Sequence, residues 1–309
     1  MPKVKTQAAK RSLLRNVRRQ RLNLITPLPS LITLINGLCG FTAIVFAARG
    51  SDILLGGFSA FAIACYMILI AMIADSLDGR IARISHNTTS FGGQLDSLCD
   101  IVSFGVAPAF VMLMLIKHQL EHLSLNQSLE NYMSKFFWLA AAAYVCCTAI
   151  RLARFNVENE EDESAHMSFT GLPTPAAAGT IVSLVILHQE TLPELADKHT
   201  MVYSVMDNGL IFTLPFVVIG IAVLMVSRIR YPHVINQFMK GKKPFAYLLI
   251  SLAVVFLVIW FRQPALVIGF CGFSFSGFST WLYKLIARSK QTSAICQENQ
   301  LNPASATDS

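Results

Sequence analysis

Four aspartates crowd the segment DSLDGRIARISHNTTSFGGQLDSLCD at residues 75–100. Asp75 and Asp78 are spaced i,i+3, and Asp96 and Asp100 i,i+4, so each pair lies on one face of a helix. The stretch between the pairs is short enough to fold two helices back as an antiparallel hairpin. Four carboxylates then converge on one point. Such a cluster repels itself unless something neutralises it. In an apolar setting each charge also costs roughly 2.5–3.5 kcal/mol on insertion scales. A divalent cation answers both costs, and oxygen-only ligands favour a hard ion, Mg²⁺ or Mn²⁺. Ions of this kind usually bind substrate phosphates as well. The neighbouring residues suit that use. Gly79 has no side chain, so a bulky ligand can approach the backbone. Ala82 keeps the same face open. Arg83 is close by and can pair with a phosphate. Gly92 lets the second helix start tightly against the first.

The elements that must position these acids read as membrane spans. Only 14% of the 309 residues are charged and 54% are hydrophobic, against about 25% charged in soluble domains. Mean hydropathy is +0.53. Apolar runs near the ~20 residues that cross a bilayer predict eight spans, at about 30–48, 53–75, 95–116, 136–153, 172–188, 209–227, 245–261 and 264–284. Only Arg262, Gln263 and Pro264 separate the last two, as in a tight hairpin. The expected fold is therefore an all-α polytopic membrane protein. In it the acidic pairs close the second span and open the third.

Charge sets the expected orientation. Lys and Arg gather in the N-terminal tail (Lys3 to Arg21), at Arg80 and Arg83, at Arg151 and Arg154, between Arg228 and Lys243, and at Lys284 to Lys290. All of these fall on one side of the eight spans. The positive-inside rule then puts both termini and the acidic cluster in the cytosol. The expected organisation is a basic tail at 1–27, a transmembrane catalytic domain at 28–287 and a polar, disordered tail at 288–309. Residues 11–25 read either as an interfacial helix on anionic headgroups or as a solvated tail. The acidic stretch Glu158 to Glu163 reads as a solvated loop.

Other chemistries find little support. The first apolar run lacks an A-x-A-type cleavage site after it and reads as a retained span. The seven cysteines form no CxxC pair and read as small buried hydrophobes. The histidines form no metal pattern and read as solvated loop residues. No Ser-His-Asp arrangement or Walker loop is seen, and no nucleic-acid partner is expected.

The pattern Asp75-x2-Asp78-Gly79-x2-Ala82-Arg83-x8-Gly92-x3-Asp96-x3-Asp100 resembles the full signature of the CDP-alcohol phosphotransferase family. LPSLITLINGLCGF at 28–41, SFGVAPA at 103–109, RLARFNV at 151–157 and GLPTPAA at 171–177 are similar to its phosphatidylserine synthase branch. The likeness covers about residues 28 to 285. It implies a six-helix core with two further C-terminal helices. It implies two divalent ions held by Asp75, Asp78, Asp96 and Asp100, with Asp100 also the general base. It implies that Gly79, Arg83 and the small hydroxyl residue Thr89 contact a CDP-lipid, along the face that holds Ala82 and Gly92. Pro29, Ser30, Thr33 and Asn36 of the first span belong to the same expected site. Ser30 stands where that branch commonly has Asn.

The implied reaction is CDP-diacylglycerol plus L-serine giving phosphatidylserine and CMP. The expected setting is a homodimer among membrane lipids, in a bacterial inner membrane, with its site open to the cytosol. Arg151, Arg154 and Asn156 would hold the serine carboxylate or a lipid phosphate; equally, the two arginines could simply end the fourth span. Thr33 and Asn36 could be ligand contacts or interhelical glue. Gly171, Pro173 and Pro175 shape the start of the fifth span. Two alternatives stay open from the residues. One is the same chemistry on glycerol 3-phosphate, an inositol phosphate or choline. The other is a cation transporter that uses the aspartates as an ion site.

Overall fold

The structure is a computed structural model that describes residues 28–50, 52–53, 57–85, 90–122, 126–161, 171–193, 200–227, 229 and 264–279. The tail at 1–27, His86, Thr89, Asp162, Glu163, the basic stretch around Arg228 to Lys243, the span expected at 245–261, Cys296 and the tail at 288–309 lie outside them. Within the described residues all regular structure is helical, apart from one isolated bridge between Ile53 and Ser59.

The helices are α1 (Leu28–Ala47), α2 (Ala60–Ser85), α3 (Ser90–Asp100), α4 (Ala107–His122), α5 (Gln127–Glu161), α6 (Thr174–Ile186), α7 (Thr200–Val226) and α8 (Pro264–Ser279). A π-helical turn, Ile101–Val106, joins α3 to α4, and a second, Leu187–Thr191, extends α6. Among the described residues five stretches are long and apolar enough to cross a membrane: Ser30–Ala47, Ala60–Gly79, Phe91–Glu121, Gln127–Val157 and Val205–Val226. Their outer faces expose Leu31, Leu38, Phe41, Trp138, Phe216 and Val223. Helices hydrogen-bond all their backbone internally, so such faces can meet lipid at no polar cost. The all-α polytopic expectation holds. Two other apolar helices are shorter. Of these α6 is buried along most of its length, as befits a central helix that is apolar all round.

Hydropathy and helix length part company at α2. The sequence places the end of the second span at its acids, yet the helix runs on to Ser85. The apolar window stops at Gly79, but RIARIS contains no helix breaker, so backbone hydrogen bonding continues past the bilayer-like part.

The crossing of α1 with α3 fixes the rest. A Cβ on Gly40 would lie 2.6 Å from Ser103 Cα, and one on Gly37 would lie 2.9 Å from Cys99 Sγ. Small residues therefore let the two backbones nearly touch. Ser103 Oγ donates to the Asn36 carbonyl at 2.8 Å across this contact. The π turn beyond has a local cause as well. Pro108 has no N–H, so it cannot serve a carbonyl in the preceding turn. The fully buried Tyr144 supplies a donor instead, its hydroxyl reaching the Phe104 carbonyl at 2.9 Å.

Gly171 ties α6 to the end of α7. Its φ is +87°, and its N–H donates to the Ile229 carbonyl at 2.8 Å. A side chain here would run into the Met225 carbonyl and Arg151. This agrees with a shaping role for the segment that starts the fifth span.

Three expectations need correction. The acidic stretch does not begin as a loop, since α5 runs on through Glu158 to Glu161. His188 is not a solvated loop residue. It is buried in the second π turn, with Nε2 2.7 Å from Asp207 Oδ1 of α7 and Nδ1 3.0 Å from Gln189 Nε2. Asp207 Oδ2 also accepts from Gln119 Nε2 of α4 at 2.8 Å. Glu190 accepts from the Tyr66 hydroxyl of α2 at 2.8 and 2.9 Å. Buried partners, invisible to local spacing, draw His188 inward. His118 is half-buried with its ring edge-on to Phe61. The cysteines differ in part too. Cys65 and Cys99 are buried, whereas Cys146 is exposed, because it lies on an outward face of α5.

Candidate active site

Helices α2 and α3 bring together three of the four acids that the spacing predicts to converge. Asp75, Asp78 and Asp96 each offer one carboxylate oxygen, and the three oxygens lie within 4.8 Å of one another. Asp78 and Asp100 are buried, and Asp75 and Asp96 are half-buried. Asp96 Oδ1 is a buried acceptor with no hydrogen-bond partner among the described residues. Such an orphan costs about 1–3 kcal/mol unless something else meets it. Oxygen donors this close, one of them unsatisfied, fit a hard divalent ion. Asp100, one turn beyond Asp96, stands outside the close trio.

The first helix serves both halves of the cluster. Thr33 Oγ1 donates to Asp78 Oδ2 at 2.9 Å. Asn36 Nδ2 donates to Asp100 Oδ1 at 2.9 Å. Both side chains are buried, and Asn36 Oδ1 has no partner among the described residues. Of the other first-helix positions, Ser30 is half-buried, while Pro29 lies in α1 with its side chain outside the description.

Gly79 is exposed, and a Cβ there would meet nothing within 4 Å. Neither packing nor a left-handed φ calls for glycine at that place. Open space beside Asp78 is what the residue leaves. Gly92 is half-buried in the first turn of α3. Ala82 and Arg83 belong to the last turns of α2, their side chains outside the description.

The fourth-span residues divide. Arg154 Nη1 donates to the Val226 carbonyl at 3.2 Å, satisfying the C-terminal end of α7. Arg151 packs at Gly171. Asn156 instead reaches α3: its Nδ2 donates to Ser97 Oγ at 2.9 Å, and Ser97 Oγ lies 3.2 Å from Asn156 Oδ1. Sequence reasoning misses Ser97. A serine beside Asp96 carries no spacing signal, and only the α3–α5 contact reveals it.

Comparison with known proteins agrees with this geometry. The CDP-alcohol phosphatidyltransferase family profile matches residues 26–214, which hold every carboxylate of the cluster. The chain belongs to this family. It is similar to a CDP-diacylglycerol–serine O-phosphatidyltransferase of Helicobacter pylori, at 34% identity over 201 residues, 64% of this chain and 71% of that protein. It is similar to an archaetidylserine synthase of Methanothermobacter thermautotrophicus, at 32% identity over 209 residues, 67% of this chain and 70% of that protein. A CDP-diacylglycerol–serine O-phosphatidyltransferase of Saccharomyces cerevisiae is 34% identical over 158 residues, 50% of this chain and 51% of that protein. Family membership and the apolar helices make the chain an integral membrane protein. The family is divalent-metal dependent, in keeping with the carboxylate trio.

Proposed function

We propose that this chain transfers the phosphatidyl group of CDP-diacylglycerol to L-serine, releasing CMP. The observation that carries the reading is the carboxylate trio within 4.8 Å, in a chain whose relatives in bacteria, archaea and yeast bear serine-transferase names.

In this reading the serine hydroxyl oxygen attacks the phosphorus that carries diacylglycerol. The bond from that phosphorus to the CMP phosphate oxygen breaks, and CMP leaves. Asp100 takes the hydroxyl proton as general base. Two divalent ions, Mg²⁺ or Mn²⁺, held by Asp75, Asp78, Asp96 and Asp100, would supply positive charge for the pyrophosphate and for the leaving CMP. The open space at Gly79 admits the CDP-lipid close to the helix backbone, and the family resemblance assigns Ala82, Arg83, Thr89 and Gly92 to the same lipid. The protein's part is mostly positioning, as in phosphoryl transfer generally.

The same reading makes the chain a homodimer of a bacterial inner membrane. Both termini and the acids face the cytosol, where serine arrives and CMP departs; the Lys and Arg distribution supports that side. The catalytic domain extends over 28–287, between a basic and a polar tail. Arg151 and Arg154 are better suited to holding the ends of α5, α6 and α7 together than to meeting serine, since the Arg154 guanidinium is engaged with α7.

The test is CMP release by the purified protein in detergent, with CDP-diacylglycerol, Mn²⁺ or Mg²⁺, and each candidate alcohol in turn. Release with L-serine is expected. Release only with another alcohol would keep the reaction and overturn the acceptor.

A further inference from the structure

Thr33 and Asn36 lie one turn apart on the buried face of α1, and each donates to a different carboxylate. Thr33 holds Asp78, a member of the close trio. Asn36 holds Asp100, which stands outside it. We infer that α1 is a positioning helix with divided duties: Thr33 orients Asp78 for the divalent ion, and Asn36 orients Asp100 to receive the proton. This rests on the functional reading above and assigns the two residues to the carboxylates, not to the lipid.

Three observations carry it. The bonds are long-range in sequence, short in space and buried, with Thr33 5% and Asn36 0% exposed. Charge-assisted bonds to a carboxylate are about twice as strong as neutral ones and directional. They fix an oxygen that would otherwise swing about its χ2. Second, the backbone contact at Gly40 and Ser103, with the bond from Ser103 Oγ to the Asn36 carbonyl, pins the residue itself. The amide is thus anchored from below and aimed at Asp100. Third, Asn36 Oδ1 is buried without a partner among the described residues. A residue kept for packing alone would be apolar at such a place. A half-satisfied amide is retained for the half that works, the N–H that faces Asp100.

The duties separate experimentally. Thr33→Val keeps the shape and removes the donor. Asn36→Leu keeps the branched outline and removes both polar atoms, and Asn36→Asp keeps the outline but replaces the N–H donor with a carboxylate oxygen that faces Asp100. Each variant is first checked for an unchanged thermal unfolding profile in detergent. Mn²⁺ binding is then read directly from the free-ion EPR signal, and kcat and KM from CMP release with L-serine.

Thr33→Val should weaken Mn²⁺ binding about tenfold and regain wild-type kcat at saturating Mn²⁺. Asn36→Leu should lower kcat about 10–100-fold even at saturating Mn²⁺, with the KM for CDP-diacylglycerol within about twofold of wild type. Asn36→Asp should lose kcat as well, and serves if the leucine variant does not fold. Retained kcat in either folded Asn36 variant would overturn Asn36's role. A raised lipid KM at constant kcat would return the residue to lipid binding and overturn the inference. Unchanged Mn²⁺ affinity in Thr33→Val would overturn the assignment of Thr33. Wild-type protein that binds Mn²⁺ but releases no CMP would instead overturn the functional reading, and Asn36's duty with it, while the Mn²⁺ comparison still decides Thr33.

Discussion

Among the described residues the bundle gathers ionisable side chains at two centres, one toward each end of α2. Toward its C-terminal end Asp75 and Asp78 meet Asp96, like charge against like charge, beside the open space at Gly79. Toward its N-terminal end Tyr66 meets Glu190, while His188, Asp207 and Gln119 join α6, α7 and α4. Both centres bury ionisable groups among apolar helices, which is costly in either case. The second sets opposite partners against each other inside the chain, the His188 ring against Asp207 and the Tyr66 hydroxyl against Glu190. The first does not, and leaves Asp96 Oδ1 unmet among the described residues. A polar cluster that is complete without a ligand holds helices together. One that is incomplete is built around something the chain lacks.

The largest effect that separates the two centres is expected at Asp100. Asp100→Asn keeps the outline and the Asn36 contact in reach, but it cannot take a proton at neutral pH. CMP release should fall by about 10²–10⁴-fold, the usual worth of a general base, while thermal unfolding in detergent stays as in wild type. Retained turnover in that variant would sink the general-base assignment. Loss of fold alone would make the first centre structural like the second.

The complementary change is Asp207→Leu. Here turnover per folded molecule should persist, and stability should fall. Removing one partner strands His188 and Gln119 in a buried site, at a cost of about 3 kcal/mol for a pair of this burial. Thermal unfolding should therefore move several degrees lower. Adding His188→Leu should recover much of the loss, since two apolar residues need no partners. A double variant no more stable than Asp207→Leu would show that the pair is not the unit. Loss of kcat at a temperature where the protein is folded would give this centre a part in catalysis.

How far each centre is legible in the sequence follows from the same contrast. Asp75, Asp78, Asp96 and Asp100 are readable because their spacing lies within two neighbouring helices, and because aspartates in apolar runs are rare enough to stand out. The all-α polytopic fold is readable from hydropathy. His188 and Asp207 lie on successive helices with no repeated spacing to join them, so the histidine reads as a loop residue. The partners of the acids are partly visible. Thr33 and Asn36 stand out as polar residues in an apolar helix, yet only the close crossing at Gly37 and Gly40 shows that they face carboxylates. Ser97 cannot be found at all without Asn156 beside it. The end of α2 escapes the sequence because hydropathy reports the bilayer and not the hydrogen bonds.

The smallest change sharpens the comparison most finely, because two readouts should move in opposite directions. Gly79 sits within α2 and faces open space. A glycine in a helix interior costs about 1 kcal/mol against alanine, and nothing in the fold requires it here. Gly79→Ala should therefore raise thermal stability by roughly that amount. If the space beside Asp78 is for the CDP-lipid, the added methyl should raise the KM for CDP-diacylglycerol and leave the KM for serine alone. Stability up and lipid use down is the signature of a position kept for a ligand at the expense of the helix. An alanine variant that is more stable and equally active would leave the gap at Gly79 without a function, and would narrow the incomplete centre to the carboxylates themselves.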